Sequence, residues 1–409
     1  SLNSAAINIT QRVPTSSGSK IYDANTNALA ADITLGNLVS GEALNHSGTA
    51  TISSANAGSY TITNLAGITI ADGSGGAASN YTLTGGTHNF TVNRRVVGVS
   101  GTRLYDATTN AVASDLSTHA NLVGSETLNL SGTGTIASKD VGSNKTVTVG
   151  TLALADGSNG GLAANYTLSG GTHQLTVNQR PLNATLARQY DGTTASAGST
   201  LSSFDALQGG ETLTMTGSGT AASANVANGI AMSSNGNLAL ADGTGAASNY
   251  SLNSTVINIA KRVLTSSGSK VYDANTNALA ADITLGNLVS GEALNHSGTA
   301  TISSANAGSY TITNLAGITI ADGSGGAASN YTLTGGTHNF TVNRRVVGVS
   351  GTRLYDATTN AVASDLSTHA NLVGSETLTL SGTGTIASKD VGSNKTVSVG
   401  TLALGNGSN

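Results

Sequence analysis

Apolar and polar residues alternate along much of the chain. Thr212-Leu213-Thr214-Met215-Thr216, Thr146-Val147-Thr148-Val149 and Asn89-Phe90-Thr91-Val92-Asn93 each place an apolar side chain at every second position. A period of two predicts strands with one face in a core and the other in water, and threonine and valine suit such strands. Between them lie turn-forming stretches such as Asp72-Gly73-Ser74-Gly75-Gly76 and Gly85-Gly86. No segment sustains a 3.6-residue period; only Asn25 to Asp32 predicts a short helical turn. The expected fold is therefore all-β, built from small antiparallel β-sandwich modules of immunoglobulin-like size. The alternative expectations are a β-solenoid, whose coil would repeat about every 20–29 residues, and a β-grasp module, which would carry a helix.

Self-comparison sets the organisation. Residues 1–159 match residues 251–409 without a gap and differ at 10 of 159 positions, among them Ala5/Thr255, Pro14/Leu264 and Asp156/Asn406. A shorter period runs inside this one. The Tyr-Asp pair recurs at Tyr22-Asp23, Tyr105-Asp106, Tyr190-Asp191, Tyr272-Asp273 and Tyr355-Asp356, with spacings of 83, 85, 82 and 83. The chain thus reads as repeats A (11–93), B (94–178), C (179–260), A′ (261–343) and B′ (344–409), the last one incomplete, with residues 1–10 as the closing strand of a preceding unit. From Thr87 through Arg94 and Arg95 towards Tyr105 the sequence stays strand-like, with no polar linker. Consecutive repeats are expected to abut as a stiff rod, of order 150–200 Å if strands of ~8 residues set the length of each module.

Rare residue types fall into register with the repeats. All five glutamates, Glu42, Glu126, Glu211, Glu292 and Glu376, share one aligned position, and arginine recurs at Arg12, Arg95, Arg180, Arg262 and Arg345. An Asn-Tyr pair recurs at Tyr81, Tyr166, Tyr250 and Tyr331, and an Ala-Asp-Gly turn at Asp72, Asp156, Asp242 and Asp322. These are read as structural positions: the tyrosines as core anchors, Asp23 and Asp72 as turn residues, and Glu42 as the partner of Arg12.

Composition narrows the function classes. Only 38 of 409 residues are charged and the net charge is −4, so no basic stripe exists for nucleic acid. No apolar run approaches the ~20 residues of a membrane-spanning helix. Cysteine is absent, which removes disulfides and thiolate chemistry. The histidines of the Gly-Gly-Thr-His strand, His88, His173 and His338, give way to Val256 in repeat C and have no partners recurring at ligand spacing. They are expected on strand surfaces. The recurrent acids offer calcium-type oxygen ligands, but no Asp-x-Asp-x-Asp-Gly loop accompanies them. No cofactor and no enzymatic activity are expected.

The segments Lys20-Ile21-Tyr22-Asp23-Ala24 and Gln189-Tyr190-Asp191-Gly192-Thr193-Thr194, together with Ala-Gly-Ser-Tyr, Ala-Asp-Gly and Asn-Tyr-Thr-Leu, resemble the bacterial YDG-type repeat and the related MBG-type repeats. Only repeat C carries the literal triplet; the others read Tyr-Asp-Ala. The resemblance implies an extracellular stalk or filament in a large secreted adhesin of the filamentous-haemagglutinin kind, or a biofilm-matrix fibre, exported from a Gram-negative bacterium by two-partner secretion. The partners it implies are neighbouring repeats or filament chains, with a glycan or cell-surface ligand at a tip elsewhere. An alternative expectation is a repeated binding module in which Thr/Asn faces meet glycan, ice or a neighbouring filament.

Overall fold

A computed structural model describes residues 4–408. The secondary structure is strand throughout, with single 3-10 turns and no α-helix among the described residues. The chain divides into two compact units. The first holds residues up to Ala184 with Phe204–Thr216 and Ala239–Ser254; the second holds Thr185–Ser203, Gly217–Leu238 and residues from Thr255 onward. Repeats A and B lie in the first, A′ and B′ in the second, and repeat C contributes strands to each.

Repeat A shows the pattern. Its strands are β1 (Thr15–Ile21), β2 (Asn27–Leu29), β3 (Ile33–Gly36), β4 (Leu44–Ile52), β5 (Gly58–Asn64), β6 (Ile68–Asp72) and β7 (His88–Asn93). They hydrogen-bond in the order β2-β4-β5-β7-β1-β3, with β6 added on β4. The first and last strands are parallel neighbours, Ser16 opposite His88 and Lys20 opposite Val92, while β4-β5 and β5-β7 are antiparallel. The expectation of a wholly antiparallel sandwich is corrected on this point. A parallel pair needs a long crossover, and here the rest of the repeat supplies it. The helical turn expected near Asn25–Asp32 is a 3-10 turn, Ala30–Asp32.

Period-two patterning decides which side chains are inside. In β7, His88, Phe90 and Val92 are buried, whereas Asn89 and Asn93 face solvent. Gly18 makes the close β1–β7 approach compatible with Phe90: a Cβ there would lie 2.8 Å from the phenyl ring and 2.3 Å from the Asp32 carbonyl oxygen. Repeat B repeats the order with Asn110–Val112, Thr133–Ile136, Gly142–Thr148, His173–Asn178, Gly98–Leu104 and Thr118–Ala120. In the second unit, A′ reproduces the sheet of A.

No linker separates A from B. β7 ends at Asn93 and the next strand, Arg95–Val96, starts after one residue, pairing in parallel with Tyr166-Thr167. One apolar cluster runs from Tyr22, Phe90 and Val92 of repeat A through Val99, Tyr105, Tyr166 and Leu175 of B to Leu213 and Tyr250 of C. Within the first unit, the cores of successive repeats are continuous.

Candidate functional site

The recurrent residues converge where one repeat meets the next. At the A–B junction Glu126 accepts the Tyr22 hydroxyl at Oε1 (2.7 Å) and the Tyr166 hydroxyl at Oε2 (2.7 Å). The two rings meet edge to face, 5.4 Å apart at 77°, the arrangement favoured by their quadrupoles. The backbone N–H of Val123 donates to the Tyr166 oxygen (3.0 Å), so that hydroxyl both donates and accepts. The B–C junction repeats this with Tyr105 and Tyr250 on Glu211 (2.7 and 2.8 Å) and rings 5.2 Å apart. At C–A′, Tyr190 and Tyr331 share Glu292, both at 2.6 Å. At A′–B′, Tyr272 donates to Glu376, and within A, Tyr81 donates to Glu42 at 2.5 Å.

A second clamp lies beside the first. The Asn165 side chain, 0% exposed, accepts the Ala57 N–H (2.8 Å) and donates to Asn56 Oδ1 (3.0 Å). Asn249 does the same with Val141 N–H and Asp140 Oδ1, both at 2.9 Å; Asn330 does so with Val226 and Asn225. The Ala-Asp-Gly aspartates prepare this position. Asp156 Oδ1 accepts the Ala163 N–H (2.8 Å) at the start of the 3-10 turn Ala163–Asn165, and that turn presents Asn165 and Tyr166 to the preceding repeat. Asp72 and Asp242 cap the matching turns through Ala78 and Ala247.

The recurrent arginines are junction residues as well. Arg95 donates to the carbonyls of Tyr22 (3.3 Å) and Asn121 (2.7 Å), and Arg180 donates to that of Tyr105 (2.7 Å). Arg262 and Arg345 reach Tyr190 and Tyr272 in the same way. Arg12 binds Asn37, so the expected Glu42–Arg12 pair is replaced by Glu42–Tyr81. Opposite charge suggests the first pair; nothing in the residue pattern signals that a tyrosine from another segment reaches the carboxylate instead. Asp23, Asp106 and Asp191 act locally, pairing with Lys20, Arg103 and Arg188 three residues earlier and closing the turn after the tyrosine.

Burial, followed by the bond to the Glu126 carboxylate, pushes the Tyr22 and Tyr166 hydroxyls up to about 12. Tyr250 and Tyr331 are also raised to about 12 by burial and their glutamates, and Tyr105 and Tyr190 are raised. At Glu211 burial pushes upward, but the bonds from Lys139, Tyr105 and Tyr250 outweigh it and hold the carboxyl below its ordinary range. Lys139 makes an ion pair with Glu211 and sits 5.6 Å from the centroid of the Tyr105 ring. Lys139, Asn56 and Asp140 escape a reading of the sequence, because they vary from repeat to repeat while their partners recur.

The histidine expectation is corrected. His88, His173 and His338 are buried, at 9%, 5% and 7% exposure. The alternation His88-x-Phe90-x-Val92 already puts them on the core face. Nε2 of His88 faces the Gly85 carbonyl (2.8 Å) and so carries the proton, leaving Nδ1 to accept from Ser16 Oγ (3.0 Å). His338 and Ser266 repeat the pair. In repeat B, Val99 replaces the serine and its N–H donates to His173 Nδ1 (3.3 Å). These histidines tie the last strand to the first. Among the described residues no group of three His, Asp or Glu side chains gathers to hold a metal ion, and the recurrent carboxylates engage the donors named above.

The fold and these junctions define a tandem array of all-β repeats in which each repeat completes the next. The YDG domain family matches five times, at residues 5–88, 91–176, 172–257, 260–338 and 341–409. The chain belongs to that family. No curated protein matches it. One solved structure, the Bacillus anthracis TIE protein, aligns over 78% of this chain and 65% of its own at 8% identity, with a TM-score of 0.17. The chain thus spans less than two thirds of that structure's length.

Proposed function

We propose that the chain is a structural stalk or filament segment of a large secreted bacterial surface protein, an adhesin of the filamentous-haemagglutinin kind or a biofilm-matrix fibre, acting by length and stiffness and not by catalysis. The observation that supports this reading is the recurrence of one junction. The same Tyr–Glu–Tyr contact and buried asparagine join A to B, B to C and C to A′, and a junction remade at every step gives successive modules the same footing. Each module is a small curled β unit of sandwich type, and adding one extends the array without inventing a site. Export by two-partner secretion to the outer surface of a Gram-negative cell belongs to the same reading, with the absence of cysteine in agreement. Its partners are neighbouring repeats and filament chains, with a ligand such as a glycan held at a tip elsewhere.

Electron microscopy of the purified chain tests the proposal. Elongated particles that lengthen in step with repeat number are expected. Collapsed globules, or lengths indifferent to repeat number, would overturn it.

A further inference from the structure

The trailing faces of the repeats are not alike. Asn249 reads Asp140 and Val141 on repeat B, and Asn330 reads Asn225 and Val226 on repeat C, which aligns Lys139 of B with Ala224 of C. By the same rule repeat A carries Ala55-Asn56. Repeat B alone among these three places a cation at the junction.

Lys139 reaches across to the glutamate of the following repeat. Its Nζ pairs with Glu211 Oε1 beside the Tyr105 ring. Glu211 therefore accepts from two hydroxyls and an ammonium, whereas Glu126 and Glu292 accept from two hydroxyls and have no ion pair among the described residues. The Glu211 side chain is 8% exposed and that of Lys139 41%. A carboxylate taken this far out of water gains more from a cation than a surface carboxylate does.

We propose that Lys139 grades the junctions: the joint behind a B repeat is the lock of the array, and joints behind repeats with alanine at this position open first. The inference stands on the junction geometry whether or not the array serves as a stalk. It assigns Lys139 as a residue that sets the order in which neighbours separate.

The array carries its own reporters. The Val141 and Val226 amides are donated into Asn249 and Asn330, so each exchanges with solvent only when its junction opens. Residue-resolved hydrogen exchange on the full 409-residue chain reads both, because a peptide reaching Thr148 is told from its B′ copy by Ser398. Val141 should exchange roughly three- to tenfold more slowly than Val226 after correction for intrinsic rates. Lys139→Ala should erase the difference, and Ala224→Lys should slow Val226 by a similar factor. Equal protection of the two amides in the parent chain would overturn the proposal. So would an unchanged Val141 rate in Lys139→Ala, which truncates a partly exposed side chain and keeps the test open should Ala224→Lys fold poorly.

Discussion

Tyr22 of one repeat donates its hydroxyl to Glu126 of the next at 2.7 Å, across 104 residues of sequence. Tyr22, Tyr105, Tyr190 and Tyr272 each reach a glutamate that their own repeat does not supply. Removing the glutamate orphans two buried hydroxyls at once. Glu126→Ala should cost about 2–4 kcal/mol, measured by denaturant unfolding, and Glu126→Gln less, since an amide oxygen still accepts. A loss below about 0.5 kcal/mol, the range of an ordinary surface substitution, would show that the hydroxyls find other partners.

High pH should open the junctions. Burial, with the glutamate bonds, pushes Tyr22, Tyr166, Tyr250 and Tyr331 up to about 12 in the fold, against 10.0 for an unperturbed tyrosine. A raised pKa means the fold favours the protonated form. Its stabilisation is intact below pH 10 and is lost as pH climbs from roughly 10 through 12. Thermal unfolding between pH 8 and 12 should show a flat Tm followed by a fall that begins near 10, accompanied by tyrosinate absorbance. A Tm that stays flat through pH 12, or one that falls well below pH 10, would contradict it.

The residue after the Tyr-Asp pair should respond oppositely in different repeats. It adopts a left-handed backbone in each of the first three: Ala24 at φ 60°, Ala107 at 62°, Gly192 at 78°. In repeat C a Cβ at Gly192 would also lie 2.9 Å from Val289 Cγ1. Gly192→Ala should destabilise by about 1–2 kcal/mol. Ala24→Gly relieves a strain of similar size, partly offset by the freer unfolded chain, and should stabilise by about 0–1 kcal/mol. The opposite pair of signs in calorimetry would refute the turn assignment.

Asn165 carries a complementary test. Truncating it frees the Ala57 N–H and Asn56 inside a buried site, so Asn165→Ala should cost about 1–3 kcal/mol and speed exchange at Ala57. Asn64 accepts the Ala66 N–H within its own turn, and its replacement by alanine should leave exchange at Ala57 unchanged.

The period, the strands and the recurrent positions are legible in the sequence because each is a local or repeated signal. Alternation in Asn89–Asn93 predicts β7, and the glutamate register predicts a shared environment. Three things are hidden. The parallel β1–β7 pairing joins segments about 70 residues apart, and no local pattern encodes its direction. Charge assigns Glu42 to Arg12, although the contact is a neutral hydroxyl from Tyr81. The absence of a recurring ligand partner points the histidines to the surface, yet their spacing to Phe90 and Val92 marks the core face.

The central claim is that repeats A and B, both in the first unit, are joined as one body, with the junction and not a linker fixing their relation. Spin labels test it directly, since the chain has no cysteine and labels can be placed at Thr51 in repeat A and Thr135 in repeat B, both exposed. Pulsed electron resonance should give a single narrow distance distribution in the parent chain and a broad one when Glu126→Ala and Asn165→Ala are combined. A broad distribution in the parent chain would mean that the repeats move independently, and the account would fail.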